Sequence, residues 1–473
     1  MRVAETFPGA RLVGGVVRDL LLGQSTKDAD MEIYGVEAHA LATSLRQLFP
    51  DHVHDVGQAF GVLKVDLHDG YSLDIALPRR ESKSGQGHTG FSIQSDPFLD
   101  PKEAAKRRDF TINAISLHPL TGELYDPWNG QEDLQKSILR VVDTNTFQDD
   151  PLRVYRAAQF TARFQATIEP MSFRLMQEMV QRGDLDHLSK ERITEELRKL
   201  LLKSLKPSLG FEVMRKLSII ERYYPELHAL GDTPQEHEWH PEGNVWIHSL
   251  MALDVGALLI REPERHFSPE DQLAVMLGAL CHDLGKPPTT HHVRKDGVMR
   301  IRSLGHEEAG REPTQTLLRR WCFGDVYERM VVATTADHLK PGLLFRAYEK
   351  GDLQEAAYAN AIRKLLRRIQ PASAEVLLAV AEADHRGRAF EDALTAPYVM
   401  GETFRRIMKQ AALDQPQTLK PLLQGKDLLA LGIQPGQAMG VLLRKIELAR
   451  DDGRIKTREE ALAYVKDQKK PND

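Results

Sequence analysis

Cysteine is nearly missing: Cys281 and Cys322 are the only two among 473 residues. That excludes a disulfide framework and any zinc site built on paired cysteine spacings, and a reducing, cytoplasmic setting is expected. Long apolar runs are missing too. No uncharged stretch approaches membrane-spanning length, and Arg11, Arg18 and Asp19 interrupt the N-terminal apolar run, which is therefore not read as a signal peptide. Nor is there an excess of positive charge. With 63 basic and 68 acidic residues the net charge is −5, so a phosphate-bearing partner would need a local basic surface. Internal repeats and low-complexity tracts are likewise absent. What remains, 41% hydrophobic and 28% charged, describes an ordinary globular chain, long enough for about three domains.

Residues 1 to about 140 alternate strand-like and helical pieces, with strands expected at 53–56, 61–65 and 72–77. Residues 80–100, rich in Gly, Ser and charge, read as a mobile loop. From about 143 onward strand signals fade, and 151–164, 189–202 and 207–220 carry helical spacing. Pro225 and the polar run 231–243 read as a linker. A helical block to about 390 and another from about 396 complete the chain, with only the last residues, DQKKPND, expected to be disordered.

Chemistry enters first between Arg11 and Gly35. A short apolar run stops at Gly14-Gly15, a helix-like piece with Arg18 follows, and Lys27-Asp28-Ala29-Asp30 leads into another strand. Glycines let the backbone approach a phosphate closely. Asp28 and Asp30, two apart on a strand, point to one face, as a Mg²⁺ site for phosphoryl or nucleotidyl transfer requires. Read singly, the glycines are equally a tight turn and the aspartates equally a solvated loop.

Two later stretches complement this one. Lys106-Arg107-Arg108-Asp109 offers cations for a triphosphate and an acceptor for a sugar hydroxyl, or else a charged helix start capped by Asp109. In Asp149-Asp150-Pro151-Leu152-Arg153-Val154-Tyr155-Arg156, a helix starting near Pro151 puts Asp150 and Arg153 one turn apart. An acceptor beside a donor matches the amine and ring nitrogen shared by cytosine and adenine, and mismatches uracil and guanine. The plain alternative is a surface ion pair at a helix start.

The order LVGGVVRD, KDAD, RRDFTINAI, DDPLRVYRAAQFTARF and SKERITEELRKLL resembles class II tRNA nucleotidyltransferases, the CCA-adding enzymes, over residues 11–202. The resemblance implies an α+β chain: a polymerase β-like nucleotidyltransferase head (1–142), a helical neck and body (143–235), then further helical domains. It implies that Gly15 and Arg18 bind nucleotide phosphates, that Asp28 and Asp30 hold Mg²⁺, and that Arg108 and Asp109 contact the sugar region. Asp150 and Arg153 become an amino-acid template supported by Arg156. The family motif opens with Glu where this chain has Asp149, which bears on how Arg153 is oriented. Asp74 is the candidate for a third carboxylate, with an ordinary strand residue as the alternative.

A second constellation lies downstream: His248, His282-Asp283 in LGALCHDLGKP, His306, His338 and Asp384. A lone His in a helix is more often packed or exposed than a ligand, but His-Asp interrupting an apolar helix is costly to bury unpaired. Coordination by His248, His282, Asp283 and Asp384 of a metal suited to His and Asp (Mn, Fe, Co, Ni or Mg, a transition metal such as Ni²⁺, Mn²⁺ or Co²⁺ being expected) satisfies it. The order H…HD…D resembles the HD phosphohydrolase domain, placed at 236–395, with His306 and His338 either extending the site toward a second metal or structural. The resemblance implies phosphatase or 2′,3′-cyclic phosphodiesterase chemistry. The tail, 396–473, resembles the tRNA-contacting C-terminal domain of some CCA-adding enzymes.

The expected activity is addition of C, C and A to the tRNA 3′ end from CTP and ATP, with no membrane and no obligatory protein partner. Four other readings remain, the weakest a purely structural RNA-binding protein, which would have no need of the Asp28–Asp30 pair. A poly(A) polymerase would carry a basic, histidine-bearing stretch where this chain reads GVLKVDLHDG. A CC-only or A-only enzyme is disfavoured by the loop KSGQGHTGF, and an HD hydrolase with a merely RNA-binding head would not need Asp28 and Asp30.

Overall fold

The computed structural model describes residues 2–56, 62–83, 91–414, 421–451 and 454–467, and divides into two compact units, Met1–Pro225 and Glu226–Asp473. Among the described residues, no helix is long and apolar enough to cross a membrane.

The first unit opens on a mixed sheet. Its strands are β1 (Ala10–Val13), β2 (Asp28–Ile33), β3 (Val53–Val56), β4 (Val62–Asp66), β5 (Ser72–Ala76), β8 (Ser116–Leu117) and β9 (Leu124–Tyr125), in the order β3-β4-β5-β2-β1-β8-β9. The expected strands are thus present, Gly61 lying outside the described residues. Alternation along β4 and β5 sends Val65 and Ile75 into a fully buried layer with Ile33 of β2. The helix Ala38–Leu48 covers that layer with Leu41 and Leu45, one turn apart. Each such side chain contributes roughly 1.5–3 kcal/mol through burial. β2 runs parallel to β5 with Asp28 opposite Ser72 and Asp30 opposite Asp74. The same pairing that builds the core therefore gathers three carboxylates at one end of the central strands.

The described residues of the stretch 80–100, namely 80–83 and 91–100, are more ordered than their composition indicates. β6 (Arg79–Lys83) and β7 (Phe91–Ser95) pair as an antiparallel ribbon, Arg79 opposite Ser95. Ser, Phe and Ile tolerate extended backbone, and the two arms satisfy each other's ladder. Residues 84–90, which the mobile-loop reading also covered, lie outside the described residues.

Beyond the sheet, helices Leu152–Phe164, Lys190–Lys203 and Ser208–Lys216 pack together. The last was expected to continue to residue 220, but Ser218 adopts a left-handed conformation (φ 61°) and a new helix starts at Ile219.

In the second unit, helices Val245–Leu259, Pro269–Cys281, Asp325–Asp337 and Ala374–Arg386 form the core. Asn244, Ser268 and Ser373 begin three of them, each side chain accepting from a backbone N–H of the first turn. The mostly helical chain expected after residue 143 is interrupted at Thr290–Lys295 and Val298–Ser303, which form an antiparallel hairpin. Asp296 (φ 50°) and Gly297 (φ 80°) supply its turn, and this Asp-Gly pair was the available signal. The final residues, 468–473, lie outside the described part.

Candidate functional site

The Gly14 turn delivers the chain from β1 into the first cleft. Gly14 has φ +74°, and a Cβ there would sit 2.9 Å from an Arg108 guanidinium nitrogen and 3.6 Å from Asp30 Oδ2. Only glycine gives both the conformation and the clearance. Gly14, Gly15, Asp28, Asp30, Arg108, Asp109, Asp150, Arg153 and Arg156 all line one cavity of about 630 Å³. That is within the roughly 300–1,000 Å³ of small-molecule sites. Arg163, Arg192, Lys199 and Lys203 line it too, giving the local basic surface that the net charge conceals.

Asp28 accepts a hydrogen bond from Ser72 Oγ at 2.7 Å. Burial raises the Asp30 carboxyl above the ordinary carboxylate range; Arg108 opposes this and Asp74 adds to it. Asp74 lies beside Asp30 in the paired strand rather than among the residues lining the cleft, and its Oδ1 is buried without a hydrogen-bond partner. Clustered carboxylates with an orphaned oxygen fit a hard divalent cation.

The cations are anchored from below by a residue that sequence reasoning missed. Glu32, buried in β2, accepts from Arg107 (2.6 Å), Arg108 (3.0 Å) and Tyr34 (2.8 Å). Burial would raise its pKa, yet Arg108 and Arg107 bring it to about 2. Its signal was a third acidic residue continuing the Asp28–Asp30 alternation.

Arg18 and Asp109 sit deeper than the expected ligand contacts imply. Arg18, almost fully buried, donates to Asp19 (2.7 and 2.9 Å) and Asn113 (2.5 Å). Its guanidinium lies over the Phe164 ring, 4.7 Å from the centroid. Asp109 does not cap a long helix. One oxygen accepts from the Phe110 backbone and from Asn113, the other from Arg156 at 2.7 and 2.8 Å. Against the effect of burial, Arg156, Asn113 and Arg153 hold Asp109 at about 2.

Asp150 precedes the helix Leu152–Phe164, its Oδ1 accepting from Leu152 N and its Oδ2 from Arg192 at 2.8 Å. Arg153 donates to the carbonyls of Thr146 (2.6 Å) and Arg107. Two fixed groups thus face the cavity one helical turn apart.

The second site closes around the end of the helix Pro269–Cys281. His282 and Asp283 follow its last residue, so they terminate that helix rather than interrupt it. His282, His306 and His338 share one device: each Nδ1 meets a backbone carbonyl three residues earlier, on Ala279, Ser303 and Thr335. That engages Nδ1 and leaves Nε2 for the centre. His282 Nε2 is 3.2 Å and His306 Nε2 3.4 Å from Asp283, and His338 Nε2 is 3.9 Å from Asp384. His248 Nε2 lies 3.1 Å from Asp384, while its Nδ1 is 2.8 Å from Glu242. Burial depresses the His248 pKa, but Asp384 and Glu242 raise it to about 9.

All six expected residues therefore converge, His306 and His338 among them. His248, His282 and Asp283 form one cluster of potential metal donors; Asp283, His306 and His338 form another. Both Asp283 oxygens are buried without a well-aligned hydrogen bond, although Lys286 Nζ is 2.7 Å away. This donor set fits a divalent transition metal. A Cβ at Gly285 would collide with the His306 carbonyl and the Gly310 backbone, so the glycine lets His306 reach the centre. The sequence did not flag Glu242, His240, Gln235 or Lys286. The first three lie in the segment read as a linker, where no periodicity marks them.

Residues 10–140 match the Poly A polymerase head domain family, 166–230 a probable RNA- and SrmB-binding site of polymerase A, and 245–386 the HD domain. The head and HD domains imply dependence on divalent metal. A multifunctional CCA protein of Nitrosococcus oceani is 35% identical over 416 residues, 87% of this chain and 92% of that protein. Another from Xanthomonas oryzae pv. oryzae is 34% identical over 441 residues, covering 93% and 97%. Among solved structures, the Bacillus stearothermophilus CCA-adding enzyme in complex with CTP superposes with a TM-score of 0.59 at 21% identity, over 97% of this chain and 94% of that one. The Thermotoga maritima CCA-adding enzyme complexed with tRNA gives 0.52 at 22%, over 96% and 91%. These two likenesses bear on the fold.

Proposed function

The chain belongs to the multifunctional CCA protein family, and from that membership we propose that it adds C, C and A to the 3′ end of tRNA from CTP and ATP, releasing pyrophosphate, and hydrolyses phosphate esters at a separate HD centre. The observation that carries the first activity is the convergence of the Asp28–Asp30 strand and the Asp150–Arg153 helix start on one cavity.

Asp28, Asp30 and Asp74 would hold Mg²⁺, the hard ion that all-carboxylate oxygen donors favour. When bound, it lowers the pKa of the attacking 3′-hydroxyl and offsets charge developing on the α-phosphate. Around it the protein positions and screens. Arg108, braced on Glu32, faces the phosphates. Arg156, held by Asp109, supports the nucleotide. Arg18 works from the cleft wall, where Asp19 and Asn113 fix it.

Base choice falls to Asp150 and Arg153. The two backbone carbonyls bound by Arg153 orient its guanidinium toward a ring nitrogen, and Asp150 accepts from the exocyclic amine. Arg192 holds Asp150 in place. The nucleotide's positioning and the field at the phosphate then lower the barrier.

At the HD centre, His248, His282, Asp283 and Asp384, with His306 and His338 adjoining, would hold Ni²⁺, Mn²⁺ or Co²⁺, which activates water toward a phosphate ester. Substrates with 2′-phosphates or 2′,3′-cyclic phosphates suit an enzyme that must act on open RNA 3′ ends. Work on tRNA supports a cytoplasmic setting.

The test offers tRNA transcripts ending before CCA, after C and after CC, with CTP, ATP or both. Completion to CCA and no further supports the reading; a long A tail or no extension overturns it.

A further inference from the structure

The segment 235–243 is tied down at both ends and presents one large ring that is more than half exposed. Gln235 accepts from Lys286 Nζ at 2.7 Å. Glu236 accepts from Ile301 N (2.8 Å) and Arg300 (3.1 Å) of the hairpin. Glu242 lies 2.9 Å from His240 and 2.8 Å from His248. Between these anchors stands Trp239, its backbone N–H bound to Glu236 O at 3.0 Å, yet with 58% of its surface exposed. Trp239 lines the same cavity of about 300 Å³ as Asp283, His306, His338 and Asp384. Exposed Arg346 lines it as well, with no carboxylate partner among the described residues.

An exposed indole lining a phosphohydrolase pocket has a specific use. Bases stack on aromatic side chains whatever their sequence, and indole pairs a large apolar face with little conformational freedom to lose. We propose that Trp239 is the base-stacking wall of the HD site and Arg346 its phosphate grip, so that the site takes a nucleoside carrying a 2′- or 2′,3′-cyclic phosphate in preference to a base-free ester. The proposal rests on the hydrolase reading of this site and adds the side chains that read the base and the phosphate. A free nucleotide and an RNA 3′ end share this chemistry.

The test uses the full chain with Mn²⁺, Ni²⁺ or Co²⁺ added. Adenosine 2′-phosphate and glycerol 2-phosphate present the same secondary phosphomonoester with and without a base. In W239A, the ratio of kcat/KM for the nucleotide to that for glycerol 2-phosphate falls about tenfold, chiefly through KM, and W239F restores most of it. R346A raises KM for both esters and leaves the ratio near the wild-type value. A short RNA ending in a 2′-phosphate, assayed in parallel, shows by the lower KM which source the site prefers. An equal loss on both esters in W239A, or an unchanged ratio, overturns the proposal. Binding gives a second readout: the nucleotide quenches tryptophan fluorescence in the wild type and not in W239F. If neither ester were hydrolysed, the hydrolase reading would fail while this quenching still decided the subsite, equal quenching in both proteins overturning it.

Discussion

Asp150 and Arg192 meet at 2.8 Å across forty-one intervening residues, joining the start of the helix Leu152–Phe164 to the start of Lys190–Lys203. The plain alternative left open by the sequence, an ion pair between Asp150 and Arg153, would have been a local surface contact. Instead a second helix fixes the carboxylate while Arg153 is fixed by carbonyls. Each half of the proposed base-reading pair thus has its own support.

Replacing Asp150 by Ala removes the acceptor for the exocyclic amine. Discrimination for CTP over UTP should fall by about 10- to 100-fold, the range of one good side chain–base contact. Arg192→Ala should lower it less, since Asp150 remains but loses its brace. Single-nucleotide extension with each of the four triphosphates measures both.

Glu32 braces two guanidiniums. Glu32→Ala leaves Arg107 and Arg108 without their buried partner and should destabilise the head by about 3–5 kcal/mol. Glu32→Gln should cost less, because it retains an acceptor oxygen. Denaturant unfolding followed by a probe in the first unit reads the difference.

Asp109 gives a pH signature. Its folded pKa of about 2 lies below its ordinary 3.8. The folded state therefore favours the carboxylate, and the resulting stability, on the order of 2 kcal/mol, is fully present above pH 3.8 and lost as pH falls through about 2. Asp109→Asn should accordingly be less stable than wild type at pH 7, and the gap should narrow below pH 4. Unfolding curves at pH 7, 4 and 3 test the sign.

Glu242 orients His248, one of the proposed metal ligands, through its Nδ1 at 2.8 Å. Glu242→Ala should weaken metal binding at the HD centre by about 10- to 100-fold while tRNA extension persists. Titrating metal into the purified protein and recording affinity and ester hydrolysis together checks this.

The chemistry was largely legible because it is written in local periodicity. Asp28 and Asp30 share a strand face by the two-residue repeat, and His282-Asp283 stands out against the apolar residues before it. What supports those groups was not legible. Glu32 finds Arg107 and Arg108 some 75 residues away, and Glu242 reaches His248 from a loop with no repeat of its own. Such partners depend on tertiary approach. The hairpin 290–303 was missed for another reason: its basic residues blur the alternation, leaving Asp296-Gly297 as its clearest mark.

The central claim is that one chain carries two chemically independent sites. The most direct measurement assays tRNA extension and adenosine 2′,3′-cyclic phosphate hydrolysis side by side in Asp28→Ala and His282→Ala. Asp28→Ala should abolish extension and keep hydrolysis, and His282→Ala should do the reverse. Loss of both activities from either substitution in a protein that remains folded would contradict the account.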